Sequence, residues 1–212
     1  MESKIVENAE LWVKELFVED STGHDWFHTD RVRKNALYIA KKEGANLFVC
    51  ELAALLHDVA DEKFNTSEEK GMDKVKDWLE EQGVSPSISE QIMSSIKTVS
   101  FKGGNNTEPT SLEGKVVQDA DRLDAIGAIG IARCFMYAGA HGDAMHLSDI
   151  EPREKMTKEQ YREKGAAINH FYEKLFKLKD LMKTETGIQL AHERNQFMEN
   201  YVTQFLNEWN GI

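Results

Sequence analysis

The sequence has few of the residues and runs that mark specialised protein classes. It contains 2 cysteines and 3 prolines in 212 residues. Cys50 and Cys134 lie far apart and match no metal-binding or redox spacing, which predicts buried thiols in a reducing compartment. No apolar run approaches the roughly 18–20 residues needed to span a bilayer, and the acidic, amphipathic N-terminus does not resemble a secretory signal. We therefore expect a cytoplasmic protein.

Positive charge is also scarce. The chain has 26 Lys and Arg against 37 Asp and Glu, a formal net charge of −11. This balance argues against a broad surface for nucleic acid or for an anionic membrane. It does not exclude a small phosphorylated ligand, because a metal ion and a few converging Lys or Arg side chains can create a local positive site.

The apolar residues recur with helical spacing almost throughout the chain. No strand pair, internal repeat or linker is evident, so we predict a single all-α domain over residues 1–212, a helical bundle. The predicted helices cover about 3–18, 26–43 (stopped by Gly44), 46–61 (capped by Asn46), 67–83, 85–99 and 112–138, with two long helices over 158–209 broken near 184–187.

An adjacent acid and imidazole, His57-Asp58, interrupt the most apolar of these helices. Leu52-Ala-Ala-Leu-Leu56 precedes the pair and Val59-Ala60 follows it. A buried carboxylate costs several kcal/mol unless a charge partner or a metal compensates it. The pattern therefore predicts either a buried ion pair or a metal site.

Two further donors favour the metal site. His28 lies in a His-x-x-Arg-Val run of the second predicted helix, and Asp121 lies in an Ala-Asp-Arg-Leu run of the long predicted helix. Carboxylates suit magnesium and manganese, while imidazoles suit iron, cobalt, nickel or zinc. Asp119 and Asp124 compete for the fourth position, but helical spacing places Val117, Asp121, Asp124 and Ala128 on one stripe, which favours Asp121 over Asp119.

These motifs, His28-x-x-Arg-Val, His57-Asp58 and Ala-Asp121-Arg, resemble the HD-domain superfamily of metal-dependent phosphohydrolases. The resemblance covers about residues 21–135, and the flanking residues look like those of the small stand-alone bacterial members. It implies that His28, His57, Asp58 and Asp121 are the metal ligands. Larger members add histidines between the pair and the last aspartate. Residues 59–120 contain none, so one divalent metal ion is expected.

The resemblance also implies roles for neighbouring side chains. Asp61 lies one turn after the His-Asp pair, where related hydrolases have an acid that acts on the attacking water, and Glu62 could share this role. Both acids could instead simply face solvent at a helix end. The candidate substrate-binding residues each have a structural alternative, namely ion pairing, exposure to solvent or helix capping: Arg31, Lys97, His24 and Asp25.

The expected activity is therefore divalent-metal-dependent hydrolysis of a small nucleotide. A nucleoside or deoxynucleoside triphosphate, with release of pyrophosphate, is the leading substrate class. The alternatives are an alarmone or nucleoside monophosphate hydrolase, or a non-catalytic metal-stabilised nucleotide sensor. The C-terminal helices, at about 157–210, are expected to pack on the metal-site core. Aromatic residues at four-residue spacing could instead contribute to a homodimer: Phe197, Tyr201, Phe205 and Trp209.

Overall fold

A computed structural model of the chain describes residues 1–18, 25–61, 64–99, 107–153 and 165–212. Helices dominate these ranges, in the order α1 Glu2–Leu16, α2 Trp26–Glu43, α3 Leu47–Leu56, a 3-10 helix His57–Ala60, α4 Glu68–Glu81, α5 Pro86–Lys97, α6 Leu112–Asp124, α7 Gly127–His141, α8 Ala167–Glu173, a second 3-10 helix Leu175–Leu181, and α9 Glu185–Trp209.

The all-α prediction is confirmed. Within the described ranges there is no β-strand, and β pairing is limited to an isolated bridge between Ala144 and Ala166. No single described helix is long and apolar enough to cross a membrane. The pair α6 and α7, bent by 61° at the break between them, passes the same test when taken together, by length and composition alone.

Local sequence signals fix the ends of several helices, at Asn46 and Gly44 as expected. The Asn46 side chain accepts hydrogen bonds from the backbone N–H groups of Phe48 and Val49 and caps α3. Ser67 caps α4 by accepting from the Lys70 N–H. Gly44 ends α2 with φ of 75°, a left-handed conformation that favours glycine.

Two predicted helices were too long. The helix predicted to run to about residue 61 ends at Leu56, and His57–Ala60 forms a tighter 3-10 helix. The helix predicted over 112–138 is broken between α6 and α7, where Ile126 is extended and Gly127 has φ of 76°. The continuous apolar pattern concealed this break, because it continues on both sides of a glycine that adopts a left-handed conformation.

The prediction of two long helices after residue 158 was wrong for the first of them. Residues 154–164 lie outside the described ranges, and the described segment that follows has the short α8 and a 3-10 helix before α9 begins at Glu185. The break near residues 184–187 is confirmed as the start of α9.

The chain divides into two compact units. The first comprises Met1–Asp121 and Lys183–Thr186. In it α3 is the central helix and packs against α1, α2 and α5. Its side chains Leu52, Leu55 and Leu56 are fully buried. Trp12 of α1 stacks on Trp78 of α4, with ring centroids 5.1 Å apart. α3 thus leads the chain from the apolar core directly into His57-Asp58.

The second unit comprises Arg122–Met182 and Gly187–Ile212. Aromatic rings from α7, α8 and α9 form its core, among them Phe135, Phe171 and Tyr201. Arg153 binds both carboxylate oxygens of the buried Glu173, at 2.8 and 3.1 Å. The single-domain organisation and the packing of the C-terminal helices on the metal-site core stay predictions.

The two cysteines are consistent with unreactive thiols. Cys50 is fully buried in α3, and Cys134 is half-buried in α7. Burial raises the pKa of each thiol to about 12, so neither forms a nucleophilic thiolate near neutral pH.

Candidate metal centre

Three buried side chains bring metal-binding atoms together in the first unit. His28 lies in the first turn of α2, and His57 and Asp58 form the first half of the 3-10 helix after α3. One ligand atom from each lies within 4.8 Å of the others. Their relative exposures are 1%, 7% and 5%, so water does little to solvate the carboxylate or the imidazoles.

Asp121 reaches the same cluster from α6. His28 Nε2 lies 3.4 Å from Asp58 Oδ2 and 3.5 Å from Asp121 Oδ1. His57 Nε2 lies 3.3 Å from Asp58 Oδ1 and 3.8 Å from Asp121 Oδ1. The four residues named from the sequence are thus adjacent in space, although they come from three separate segments. The Asp121 side chain is 27% exposed and forms the more open edge of the cluster.

The hydrogen bonding of His57 suits a metal ligand. Its Nδ1 lies 2.8 Å from the Ala54 carbonyl oxygen and donates to it, which leaves the Nε2 lone pair directed at the cluster. Nε2 is buried and has no hydrogen-bond partner among the described residues. A buried polar atom without a partner costs about 1–3 kcal/mol, and a cation bound by Nε2 would remove this cost.

The spacing of the donor atoms fits a single small cation. Metal–ligand bonds of about 2.1 Å place neighbouring ligand atoms roughly 3.0–3.4 Å apart in octahedral or tetrahedral sites. The distances from each imidazole to Asp58 and Asp121 are 3.3–3.8 Å, so small adjustments bring the four groups to one ion. The donor chemistry, two imidazoles with two carboxylates, fits a divalent metal of the first transition row.

The two aspartates that compete with Asp121 make other contacts. Asp119 is fully buried and accepts hydrogen bonds from the Lys183 and Thr184 N–H groups and from the Thr184 hydroxyl, at 2.7–3.0 Å. Asp124 is buried in the second unit and pairs with Arg133. Neither carboxylate belongs to the cluster around His28 and His57, which leaves Asp121 as the aspartate of α6 in contact with it.

The candidate water-activating acid lies directly after the ligands. Asp61 ends the 3-10 helix, and its N–H donates to the Asp58 carbonyl oxygen at 3.1 Å. Its side chain is half-buried, which is compatible with a role at the mouth of the cluster. Glu62, the alternative, lies outside the described residues.

The four predicted substrate-binding residues have different surroundings. Asp25 caps α2 by accepting from the His28 N–H at 2.8 Å, the structural alternative named for it. Arg31 is half-buried on α2, one turn after His28. Lys97 is exposed at the last residue of α5. His24 lies outside the described residues. The substrate roles of these residues stay predictions.

Sequence patterns did not indicate two amide side chains that support the site, the half-buried Asn65 and the buried Gln118. Asn65 Nδ2 donates to the carbonyl oxygens of Val59 and Asp61, at 2.7 and 2.9 Å, and so holds the turn that contains the His-Asp pair. Gln118 Nε2 donates to the Thr98 carbonyl oxygen at 2.6 Å and ties the end of α5 to α6, one turn before Asp121. Single polar residues of this kind have no periodic signature.

Comparisons with known proteins show the family of the chain. The HD domain family model matches residues 26–126, a range that contains all four clustered side chains. An HD-superfamily hydrolase of Bacillus thuringiensis has a solved structure with 45% sequence identity and a TM-score of 0.83, covering 100% of both chains. The chain belongs to the HD superfamily of hydrolases, as the sequence motifs predicted.

Within this family the chain is similar over its whole length to a protein of Bacillus subtilis. The protein YpgQ is 41% identical over 213 residues, which covers 100% of this chain and 97% of YpgQ. A structure of YpgQ in complex with ADP matches with a TM-score of 0.76 and 38% identity, covering 96% of each chain. The similarity to these proteins therefore extends over both units.

Proposed function

We propose that this protein is a divalent-metal-dependent phosphohydrolase that acts on a nucleoside or deoxynucleoside triphosphate and releases pyrophosphate. The observation that carries the proposal is the convergence of His28, His57, Asp58 and Asp121 within the first unit. The structure of YpgQ in complex with ADP supports a nucleotide, rather than a sugar or protein phosphate, as the ligand class.

The proposed chemistry assigns each group a distinct task. A divalent metal at this site would supply Lewis acidity and would make a water molecule more acidic. His28, His57, Asp58 and Asp121 would hold it, with His57 oriented by its bond to the Ala54 carbonyl oxygen. Asp61 would orient and deprotonate the attacking water. Arg31 and Lys97 are the candidate cations for phosphate charge, which no residue of the cluster itself can balance.

Product analysis tests this proposal directly. Purified protein loaded with manganese is incubated with each common nucleoside and deoxynucleoside triphosphate, and the products are separated by chromatography. We expect the nucleoside monophosphate and pyrophosphate. Release of orthophosphate instead would contradict the proposed cleavage site. Absence of product with metal demonstrably bound would contradict the triphosphatase proposal and favour monophosphates, alarmones or a binding role.

The role of Asp61 can be separated from metal binding. Asp61→Asn removes the proposed proton acceptor but leaves the four ligands in place, so we expect metal content to be retained and kcat to fall by about 100-fold or more. Asp73→Asn is the matched control, because it makes the same chemical change at an exposed position of α4. A rate for Asp61→Asn within a few-fold of that of the control would show that Asp61 does not activate water.

A further inference from the structure

A cavity of about 130 Å³ lies beside the turn that presents the His-Asp pair. Its walls are Leu16 and Phe17 at the end of α1, Val59 of the 3-10 helix, Phe64 of the following loop and Lys74 of α4. All five residues belong to the first unit. None of them belongs to the metal cluster or to the proposed water-activating and phosphate-binding groups, so the roles assigned above do not yet include the cavity.

The cavity and the metal cluster share one short structural element. Val59 follows Asp58 directly in a four-residue 3-10 helix that is only about 8 Å long at 2.0 Å per residue. Consecutive residues of such a helix point about 120° apart, so one turn directs Asp58 to the cluster and Val59 to the cavity. Phe64 is tied to the same turn, because its N–H donates to the Asp61 carbonyl oxygen at 3.1 Å. A ligand in the cavity would therefore contact Val59, the residue that directly follows the proposed metal ligand Asp58.

The walls have the chemistry that binds a flat, partly polar ring. Phe17 and Phe64 are in contact, with ring centroids 4.8 Å apart and a tilt of 50°. Phe17 is 3% exposed and Phe64 is 37% exposed, so one ring forms the base of the cavity and the other its accessible side. Lys74 is exposed, with its ammonium 5.6 Å from the Trp12 ring centroid, and brings hydrogen-bond donors to the rim. Nucleobases stack on aromatic side chains and carry ring oxygens or nitrogens that accept from an ammonium.

The volume of the cavity is close to that needed by one ring. An apolar protein cavity of about 150 Å³ binds benzene, and a cavity of about 130 Å³ that opens to solvent has a similar size. We propose that this cavity is the nucleobase subsite and takes the six-membered ring of the base of a nucleotide whose phosphates lie at the metal cluster. This inference rests on the proposed function for the placement of the phosphates.

Two substitutions at accessible wall residues change the cavity in opposite ways. Phe64→Ser removes the accessible aromatic wall, and Leu16→Trp fills the cavity from the half-exposed end of α1. Tyr38→Ser is the matched control, because Tyr38 is an exposed aromatic residue of α2, at 52% exposure, outside the cavity. The probes are ADP, CDP and inorganic pyrophosphate, all diphosphates, of which only the first two carry a base. Affinities are measured by calorimetry on manganese-loaded protein.

We expect wild-type protein to bind ADP and CDP more tightly than pyrophosphate. Phe64→Ser and Leu16→Trp should each weaken ADP and CDP by about tenfold or more and leave pyrophosphate unchanged, while Tyr38→Ser changes none of the three. Manganese affinity and melting temperature, measured in parallel, should stay near their wild-type values.

Three results would overturn the subsite. They are equal wild-type affinity for pyrophosphate and both nucleotides, unchanged nucleotide affinity in both variants, or equal loss of pyrophosphate and nucleotide binding. The hydrolase proposal fails separately. Base-dependent binding that disappears in both variants, together with no turnover of any triphosphate, would support the subsite in a nucleotide-binding protein that is not a hydrolase.

Discussion

Three aspartates of α6 illustrate how residues of one type differ by their contacts. Asp119 accepts hydrogen bonds from Lys183 and Thr184, Asp121 lies beside His28 and His57, and Asp124 pairs with Arg133. The hydrogen bonds of Asp119 join α6 to the segment that begins α9 within the first unit. These contacts predict opposite phenotypes for two substitutions only two positions apart.

We expect Asp119→Asn to destabilise the protein without loss of metal. We expect Asp121→Asn to lose metal with little effect on stability. Replacing the buried Asp119 carboxylate with an amide turns one acceptor into a donor that faces N–H groups, at a cost of about 2 kcal/mol. Asp121→Asn removes a proposed ligand charge and should weaken manganese binding at least tenfold. Denaturation midpoints and elemental analysis measure the two effects. Greater metal loss in Asp119→Asn would mean that the wrong aspartate is assigned to the site.

At the scale of single elements, the first turn of α2 connects helix capping to the metal cluster. Asp25 caps the helix through the N–H of His28, which is itself a proposed ligand. Asn46 caps α3 in a similar way, but the residues whose N–H groups it binds, Phe48 and Val49, are not proposed metal ligands. The two caps thus form a natural pair for comparing a local with a functional effect.

Asp25→Ala and Asn46→Ala should each cost about 1 kcal/mol of stability, because each loses an N-cap. Only Asp25→Ala should also weaken manganese binding, since fraying of the first turn displaces His28. Urea denaturation gives the stability and calorimetric titration gives the affinity. If both variants lose affinity equally, loss of global stability rather than displacement of His28 explains the effect.

The surroundings of His170 and Glu173 in α8 predict that the second unit loses stability in acid. Burial, with a further contribution from Lys174, lowers the pKa of His170 from 6.5 to about 4. Burial alone would raise the pKa of Glu173, but its hydrogen bonds to Arg153 and the Arg153 charge outweigh burial and hold it below its ordinary value. Both groups bind protons more readily in the unfolded chain, so their contribution to stability is lost as the pH falls.

The His170 contribution should be complete above pH 6.5 and decrease between pH 6.5 and about 4, by at most about 2 kcal/mol at pH 5. His170→Gln should therefore flatten the dependence of the denaturation midpoint on pH in this window. The exposed His192→Gln is the control and should leave the slope unchanged. A slope for His170→Gln equal to that of wild type would show that His170 does not govern this range.

Sequence patterns predicted the elements that depend on local rules and failed where a single residue overrides them. The caps at Asn46 and Ser67 follow from the hydrogen-bonding chemistry of their side chains, and the stop at Gly44 follows from the ease with which glycine adopts a left-handed conformation. The break at Gly127 was missed, because helical periodicity reports apolar spacing and not backbone conformation. The pair His57-Asp58 could be singled out because an adjacent acid and imidazole in an apolar run are costly without a partner, and the resemblance to the HD-domain superfamily added His28 and Asp121. The role of the Asn65 amide could not be identified from the sequence, because it depends entirely on tertiary contacts.

At the scale of the whole molecule, the candidate metal ligands all belong to one of the two compact units. His28, His57, Asp58 and Asp121 fall within Met1–Asp121, and none falls within Arg122–Met182 or Gly187–Ile212. A metal that binds the folded state stabilises the elements that supply its ligands. The direct effect of metal binding should therefore be unequal along the chain.

We expect manganese to slow amide hydrogen exchange in peptides from 26–60 and 112–121 and to change exchange little in 165–182 and 187–209. Exchange measured by mass spectrometry with manganese, and after its removal by a chelator, gives this map. Asp58→Ala, treated in the same way, is the control and should show no manganese-dependent protection. Equal protection of both units would contradict a local effect.

The close approach of α4 to the turn that presents the ligands has a consequence for mutational tolerance. Gly71 of α4 lies so near this turn that a Cβ atom there would be 2.8 Å from the Ala60 carbonyl carbon and 2.7 Å from Asn65 Nδ2. Any side chain would push α4 and the His-Asp turn apart. In a saturation screen for function, position 71 should tolerate as few replacements as the ligand positions, although glycine contributes no chemistry. A helix position that tolerates no substitution therefore need not be one whose side chain touches substrate.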